Sequence, residues 1–160
     1  MAAFEKIYEE YAKPVYRFLL SLTADEAMAE ELLQETFYRA LLHIDRFEGR
    51  CSLYTWLCQI GKNAWYKECK RKKRQPDISE AGLFDSVFPS AESQTIAKDE
   101  ADRIRQAIKG LPQPYQDVFI MHVFGGIKLT EIAAIYHKSE SWARVTYYRA
   151  RQQLLQEVSL

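Results

Sequence analysis

Apolar side chains return every third or fourth residue through most of this chain, a spacing that restricts the fold to packed amphipathic helices. Ile7, Tyr8, Tyr11, Val15, Phe18 and Leu19 mark a first helix over about 4–22. A break or kink is expected at Pro14, because proline lacks the N–H and its ring crowds the carbonyl one turn back. Leu33, Phe37, Ala40, Ile44 and Phe47 share one face of a second helix, opened by a capping box at Thr23-Ala-Asp-Glu26 and ended at Gly49. Leu53, Trp56, Leu57, Ile60 and Ala64 form the stripe of a third, over about 53–74. With only 6 glycines and few β-branched runs, little material is left for a sheet.

Between Gln75 and Ser93 the periodicity lapses into QPDISEAGLFDSVFPSAES, which reads as a linker whose Leu83, Phe84, Val87 and Phe88 suit docking on a surface. Helical spacing resumes with Ile96, Ala97, Ala101, Ile104 and Ile108, and stops at Gly110. It restarts after Pro112 and Pro114 and ends at Gly125-Gly126. Two more helices follow, over 129–136 and about 139–156, with a short turn between them. The expected architecture is all-α: two small helical domains, 1–75 and 95–160, joined by a linker at 76–94.

Several function classes are disfavoured. At 48% apolar and 28% charged residues the composition is that of a soluble globular protein. No apolar run approaches the ~18–20 residues of a membrane span, and the N-terminus lacks a signal-peptide core. No membrane insertion is expected, and the cytoplasm is the expected location. Cys51, Cys58 and Cys69 form no CxxC pair, and His43, His122 and His137 are scattered, so no metal site is expected and the thiols read as reduced and structural. Without a Ser/His/Asp set at supporting spacing or a phosphate-cradling glycine loop, no enzyme, catalytic residue or cofactor is expected.

The 22 basic and 22 acidic residues cancel, but they are not mixed. Residues 1–49 hold 5 basic and 10 acidic side chains, and residues 50–75 hold 8 and 1. Residues 76–119 hold 4 and 8, and residues 120–160 hold 5 and 3. Blocks of alternating sign point to more than one partner.

Three surfaces carry chemistry. The last two helices have the spacing of a helix-turn-helix, which sets its second helix in the major groove. At about 100° per residue, Ala143, Tyr147, Ala150 and Leu154 fall on a core face. Ser141, Arg144, Val145, Tyr148, Arg149 and Gln152 lie on the outer one. Arginines there can pair bidentately with guanine or phosphate, Val145 can touch a thymine methyl, and Ser141 and Gln152 can hydrogen-bond. An αα-hairpin that merely packs a small bundle has the same periodicity. On the third helix, Thr55, Gln59, Lys62, Trp65 and Tyr66 lie opposite the apolar stripe and are expected to be wet. Rings interleaved with cations suit a single strand, and Lys70 to Arg74 suit a duplex backbone. A solvated helix end that complements the helix dipole is the alternative for that cationic run. On the second helix, Glu31, Gln34, Glu35, Tyr38 and Leu42 form an acidic face containing a ring and a leucine, which suits protein docking as well as it suits an ordinary exposed helix.

Taken together, AEELLQETFYRALLHIDRFEG, SLYTWLCQIGKNAWYKECKRKKR and LPQPYQDVFIMHVFGGIKLTEIAAIYHKSESWARVTYYRARQQL resemble regions 2 and 4 of the extracytoplasmic-function sigma factors of bacterial RNA polymerase. The resemblance spans nearly the whole chain. It implies a dissociable initiation subunit whose helix around 31–47, with Gln34, Glu35 and Tyr38, binds the β′ clamp helices of core polymerase. The loop near 48–52 and Lys62, Asn63, Trp65 and Tyr66 would recognise and open the −10 element of promoter DNA. Lys70, Arg71 and Arg74 would meet the strand and upstream duplex. Arg144, Val145, Tyr148 and Arg149 would read the −35 element, region 4 would also dock on the β flap, and an anti-sigma factor would mask these faces. Where the family commonly shows Leu-Gly-Ile-Ser-Glu-Gly-Thr-Val, this chain has Tyr136-His-Lys-Ser-Glu-Ser-Trp-Ala143, without either glycine. The other reading is a two-domain regulator that binds duplex DNA without polymerase, with residues 1–75 as a dimerisation or sensing domain.

Overall fold

In the structure, a computed structural model, residues 2–74 and 92–159 are described. Most of the expected linker, with Leu83, Phe84, Val87 and Phe88, lies outside the described residues, as does the side chain of Arg74. The helices are α1 (Ala2–Thr23), α2 (Glu26–His43) with a 3-10 turn at Ile44–Arg46, α3 (Leu53–Arg74), α4 (Glu92–Lys109), α5 (Tyr115–Phe119), α6 (Leu129–Ile135) and α7 (Glu140–Ser159). A π-helical turn, Ile120–Phe124, continues α5. Among the described residues there is no strand, as the sequence predicts.

The first three helices build one core. Val15, Phe18, Leu19 and Leu22 of α1 meet Ala29, Leu32, Phe37 and Ala40 of α2 and Leu57 and Ala64 of α3, all buried. Removing a large apolar side chain from water contributes about 1.5–3 kcal/mol. Phe4 and Tyr8 stand edge-on to Phe37, with ring centroids 6.3 and 4.9 Å away, and extend this core toward the N-terminus. Gly61 allows α3 its close approach: a Cβ there would lie 3.0 Å from Leu19 Cδ2 and 3.1 Å from Thr36 Oγ1. Thr36, fully buried beside it, satisfies its hydroxyl by donating to the Leu32 carbonyl at 2.6 Å.

Three local expectations are corrected. Of the break or kink expected at Pro14, the break is absent: α1 runs through it, so packing of its flanking turns outweighs the missing backbone hydrogen bond. The cap of α2 is Asp25, whose carboxylate accepts from the Met28 N–H at 3.2 Å. Thr23 instead closes α1, donating its hydroxyl back to the Leu19 carbonyl at 3.0 Å. And α4 begins at Glu92, inside the span assigned to the linker.

In the C-terminal half Ile108, Leu111, Val118, Ile120, Met121, Ile127, Ile132, Ala143, Ala150 and Leu154 are buried, and all but Ala143 join the same apolar cluster as the first three helices. Gly125 and Gly126 end the π-helical turn for different reasons. A Cβ on Gly125 would sit 2.6 Å from the Met121 carbonyl oxygen, whereas Gly126 takes a φ of +66° that side chains disfavour. The chain thereby turns sharply enough for the Ile127 N–H to reach the Met121 carbonyl at 3.1 Å.

Candidate nucleic-acid interface

Helix α7 is held by one face and leaves the other open. Ala143, Thr146, Ala150 and Leu154 are buried, and Tyr147 stacks on Phe119 at 6.0 Å and meets the His122 ring edge-on at 4.7 Å. Ser141, Arg144, Val145, Tyr148, Arg149 and Gln152 are all exposed, on the side the helical wheel selects. Val145 and Tyr148 are exposed at 46% and 58%, side by side one turn apart on this face. Arg144 is steadied by Glu140 one turn earlier, at 2.5 Å.

The turn before α7 forms without glycine. His137 adopts φ +56° at the end of α6, donating its N–H to the Ala134 carbonyl, while the Lys138 N–H reaches the Ala133 carbonyl at 2.9 Å. This pair of bonds is the Schellman closure that usually recruits glycine at the left-handed position. Ser139 then caps α7, its hydroxyl accepting from the Trp142 N–H at 3.1 Å. Trp142 packs against Tyr136, centroids 5.6 Å apart, so the bulky residue braces the turn.

Helix α3 departs from expectation. Its Lys62, Trp65 and Thr55 are buried and Tyr66 is half-buried, although the wheel places all four on a wet side. A wheel identifies one packed face, and α3 has two: α1 and α2 cover the first, and the C-terminal domain reaches Thr55, Lys62 and Tyr66 on the second. Lys62, only 2% exposed, forms an ion pair with Asp117 of α5 at 3.0 Å. Tyr66 donates its hydroxyl to the other oxygen of the same carboxylate at 2.5 Å, and Tyr136 donates to Asp117 from α6. Farther along, Tyr54 donates to the Gly125 carbonyl at 2.7 Å, and the Ser52 N–H donates to Glu131 at 2.6 Å. Arg50 lies 2.8 Å from the His137 ring nitrogens. Asn63, Lys70 and Arg71 stay exposed, with Arg71 held by Glu68.

The electrostatics follow from this burial. Desolvation raises the Asp117 carboxyl, but the Lys62 ammonium and the hydroxyls of Tyr136 and Tyr66 outweigh it and hold the group below the usual carboxylate range. Desolvation lowers Lys62, with Asp117 opposing. Tyr66 and Tyr136 are pushed up, first by burial and then by the neighbouring carboxylate, so both remain donors at neutral pH. Burial also pushes the Cys58 thiol up to about 12, which makes it an unreactive neutral group.

Sequence reasoning missed Asp117, Glu131 and Tyr136 as functional neighbours of α3. Asp117 offered one signal: a lone carboxylate followed directly by the apolar run Val118 to Met121, where an unpaired charge is costly.

On α2, Glu31, Gln34, Tyr38 and Leu42 are exposed and Glu35 is half-buried, paired with Arg39 at 2.6 Å. Tyr38 is 60% and Leu42 54% exposed, with Leu41 beside them, so the acidic face has an apolar centre. A groove of about 400 Å³ runs from this face, between Tyr38 and Leu42, to Ile60 and Asn63 on α3. Among the described residues no group of side chains is arranged to hold a metal ion, and no helix is long and apolar enough to cross a membrane.

Comparison with known proteins places these surfaces in a family. Residues 7–75 match the model of sigma-70 region 2, and residues 101–154 match that of sigma-70 region 4. The chain is 33% identical over 154 residues to the ECF RNA polymerase sigma factor SigM of Bacillus subtilis, spanning 94% of this chain and 91% of that one. It is 29% identical to SigX of the same organism, across 98% and 84% of the two chains. The fold resembles that of the sigma factor RpoE in complex with the anti-sigma factor NepR from Bartonella quintana (TM-score 0.59, 22% identity, 100% and 99% of the chains). It equally resembles CnrH in complex with the cytosolic domain of CnrY (TM-score 0.59, 19% identity, 99% and 88%). With both regions in order and a relative of this identity across more than nine-tenths of both chains, the chain belongs to the extracytoplasmic-function sigma factors of the sigma-70 family.

Proposed function

We propose that this chain is a dissociable initiation subunit that brings core RNA polymerase to promoters and acts by recognition alone, in the cytoplasm. The observation that carries the reading is the outer face of α7, where Ser141, Arg144, Val145, Tyr148, Arg149 and Gln152 are presented together while the opposite face is fixed in a core. In this reading those six residues meet the −35 element, the arginines at guanine or phosphate and Val145 at a thymine methyl. The acidic face of α2, from Glu31 to Leu42, docks on the β′ clamp helices, and region 4 docks on the β flap. Lys62, Asn63, Trp65 and Tyr66, with Lys70, Arg71 and Arg74, serve the −10 element and the opened strand. The loop at 48–52 lies beside them. Support for an anti-sigma partner comes from the similar fold of RpoE, which was solved with the anti-sigma factor NepR bound.

One observation favours the alternative of a regulator independent of polymerase: Tyr66 lies in a protein interface, as that reading expects, although the interface is internal to the chain. DNA binding separates the two. The C-terminal 41 residues carry a net charge of only +2, from 5 basic and 3 acidic side chains, so few phosphates are neutralised. The free protein is expected to bind promoter duplex only weakly in a gel shift at physiological salt, and tightly once core polymerase is added. Nanomolar specific binding by the free protein would favour the regulator.

A further inference from the structure

Helix α7 carries a negative charge at the start of the face assigned to the −35 element. From Glu140 to Gln156 its charged residues are Glu140, Arg144, Arg149 and Arg151, so one carboxylate stands among three guanidiniums. It lies in the first turn, and the N-terminal residues of a recognition helix are those that reach base edges in the major groove. Glu140 is exposed there beside Ser141, at the head of a ridge that continues through Arg144 and Tyr148 at four-residue spacing. The helix dipole favours a carboxylate in the first turn of any helix, and that effect alone asks nothing of DNA.

Two further considerations reach beyond the dipole. A carboxylate beside the phosphates of a duplex is repelled by them, so on a DNA-facing helix its favourable place is over base edges, where amino groups donate. The other is its hold on Arg144. Glu140 Oε1 accepts from Arg144 Nη2 at 2.5 Å, with the arginine side chain 67% and the glutamate side chain 47% exposed. One oxygen and one nitrogen are thereby engaged, while the second oxygen and the remaining guanidinium N–H groups are left for a ligand. The contact also draws the guanidinium toward the first turn, the part of the helix that meets bases. An acceptor and a set of donors are thus presented side by side. Cytosine N4 offers a donor to the first, and guanine O6 and N7 offer acceptors to the second.

We propose that Glu140 is a specificity-determining residue of the −35 face: its carboxylate accepts from a cytosine amine next to the guanine that Arg144 meets, and its hold on Arg144 sets that guanidinium over a base edge instead of a phosphate. The proposal rests on the assignment of α7 to the −35 element made above.

Glu140→Gln, Glu140→Ala and Arg144→Ala are compared with the unaltered chain in transcription with core polymerase, on templates carrying each base at successive −35 positions. Ser139, which caps α7, is untouched in all of them. Glutamine pairs with adenine through N6 and N7, so Glu140→Gln is expected to move the preference at one position from cytosine to adenine by about tenfold. Glu140→Ala is expected to lose the cytosine preference at that position, and to lose it also in a chain whose Arg144 is replaced by alanine. An equal change on every template, or none, would overturn the proposal and leave Glu140 as a helix-end charge. Loss of preference confined to the position that Arg144 reads would overturn it too, since Glu140 would then act only through Arg144. In both cases a −35 position relaxed by Arg144→Ala keeps the assignment of α7 standing. If no variant, Arg144→Ala included, alters preference at any −35 position, that assignment falls and the role of Glu140 with it.

Discussion

Arg149→Ala is expected to lower transcription from a promoter with an intact −35 element by about tenfold to a hundredfold, while the melting temperature stays unchanged. Arg149 is exposed on the outer face of α7, and its removal disturbs none of the contacts that seat the helix through Ala143, Thr146, Ala150 and Leu154. A bidentate arginine–guanine pair is worth about 1–3 kcal/mol of discrimination, and a phosphate contact would be lost evenly across sequences. Transcription measured on templates with each base at successive −35 positions distinguishes these roles. Relaxed preference at one position identifies base reading, and a uniform loss identifies a phosphate contact. Equal activity of variant and unaltered protein on every template would remove α7 from −35 recognition.

The second large effect concerns stability. Leu57→Ala is expected to destabilise the chain by about 2–5 kcal/mol, because Leu57 has no exposed surface and its removal opens a cavity in the core of α1 to α3. For a chain of this size each kcal/mol lowers the melting temperature by about 2–4 °C, so a fall of roughly 5–20 °C is anticipated by calorimetry. A change of about a degree would mean that α3 does not pack as described. Gly61, one turn away, makes the same point from the opposite direction, since any side chain there must displace Leu19 or Thr36.

Much of this was legible in the sequence because helical periodicity reports one packed face well. The bounds of α3, the core and outer faces of α7, and the exposed acidic face of α2 all follow from residue spacing and were found in place. The capping residue was misplaced by two positions, since Thr23 and Asp25 are both good caps and only the end of α1 decides between them. The turn at His137 shows how much a local motif depends on hydrogen bonds that residue identity does not reveal. The burial of Lys62 and Tyr66 was not legible for a deeper reason. A helix covered on two sides displays a second face whose composition is set by its partner, here a lone carboxylate on α5. Nothing in the spacing of α3 names Asp117, which lies 55 positions along the chain from Lys62.

In the proposed function, two DNA-facing surfaces and one polymerase-facing surface lie on separate helices, each expected to be too weak to act alone. Run-off transcription with purified core polymerase, with and without this protein, across a library of promoter templates tests that claim most directly. Transcripts that appear only when the protein is present, from templates sharing particular −35 and −10 sequences, are the expected result. The absence of any dependent transcript from any member of the library would contradict it.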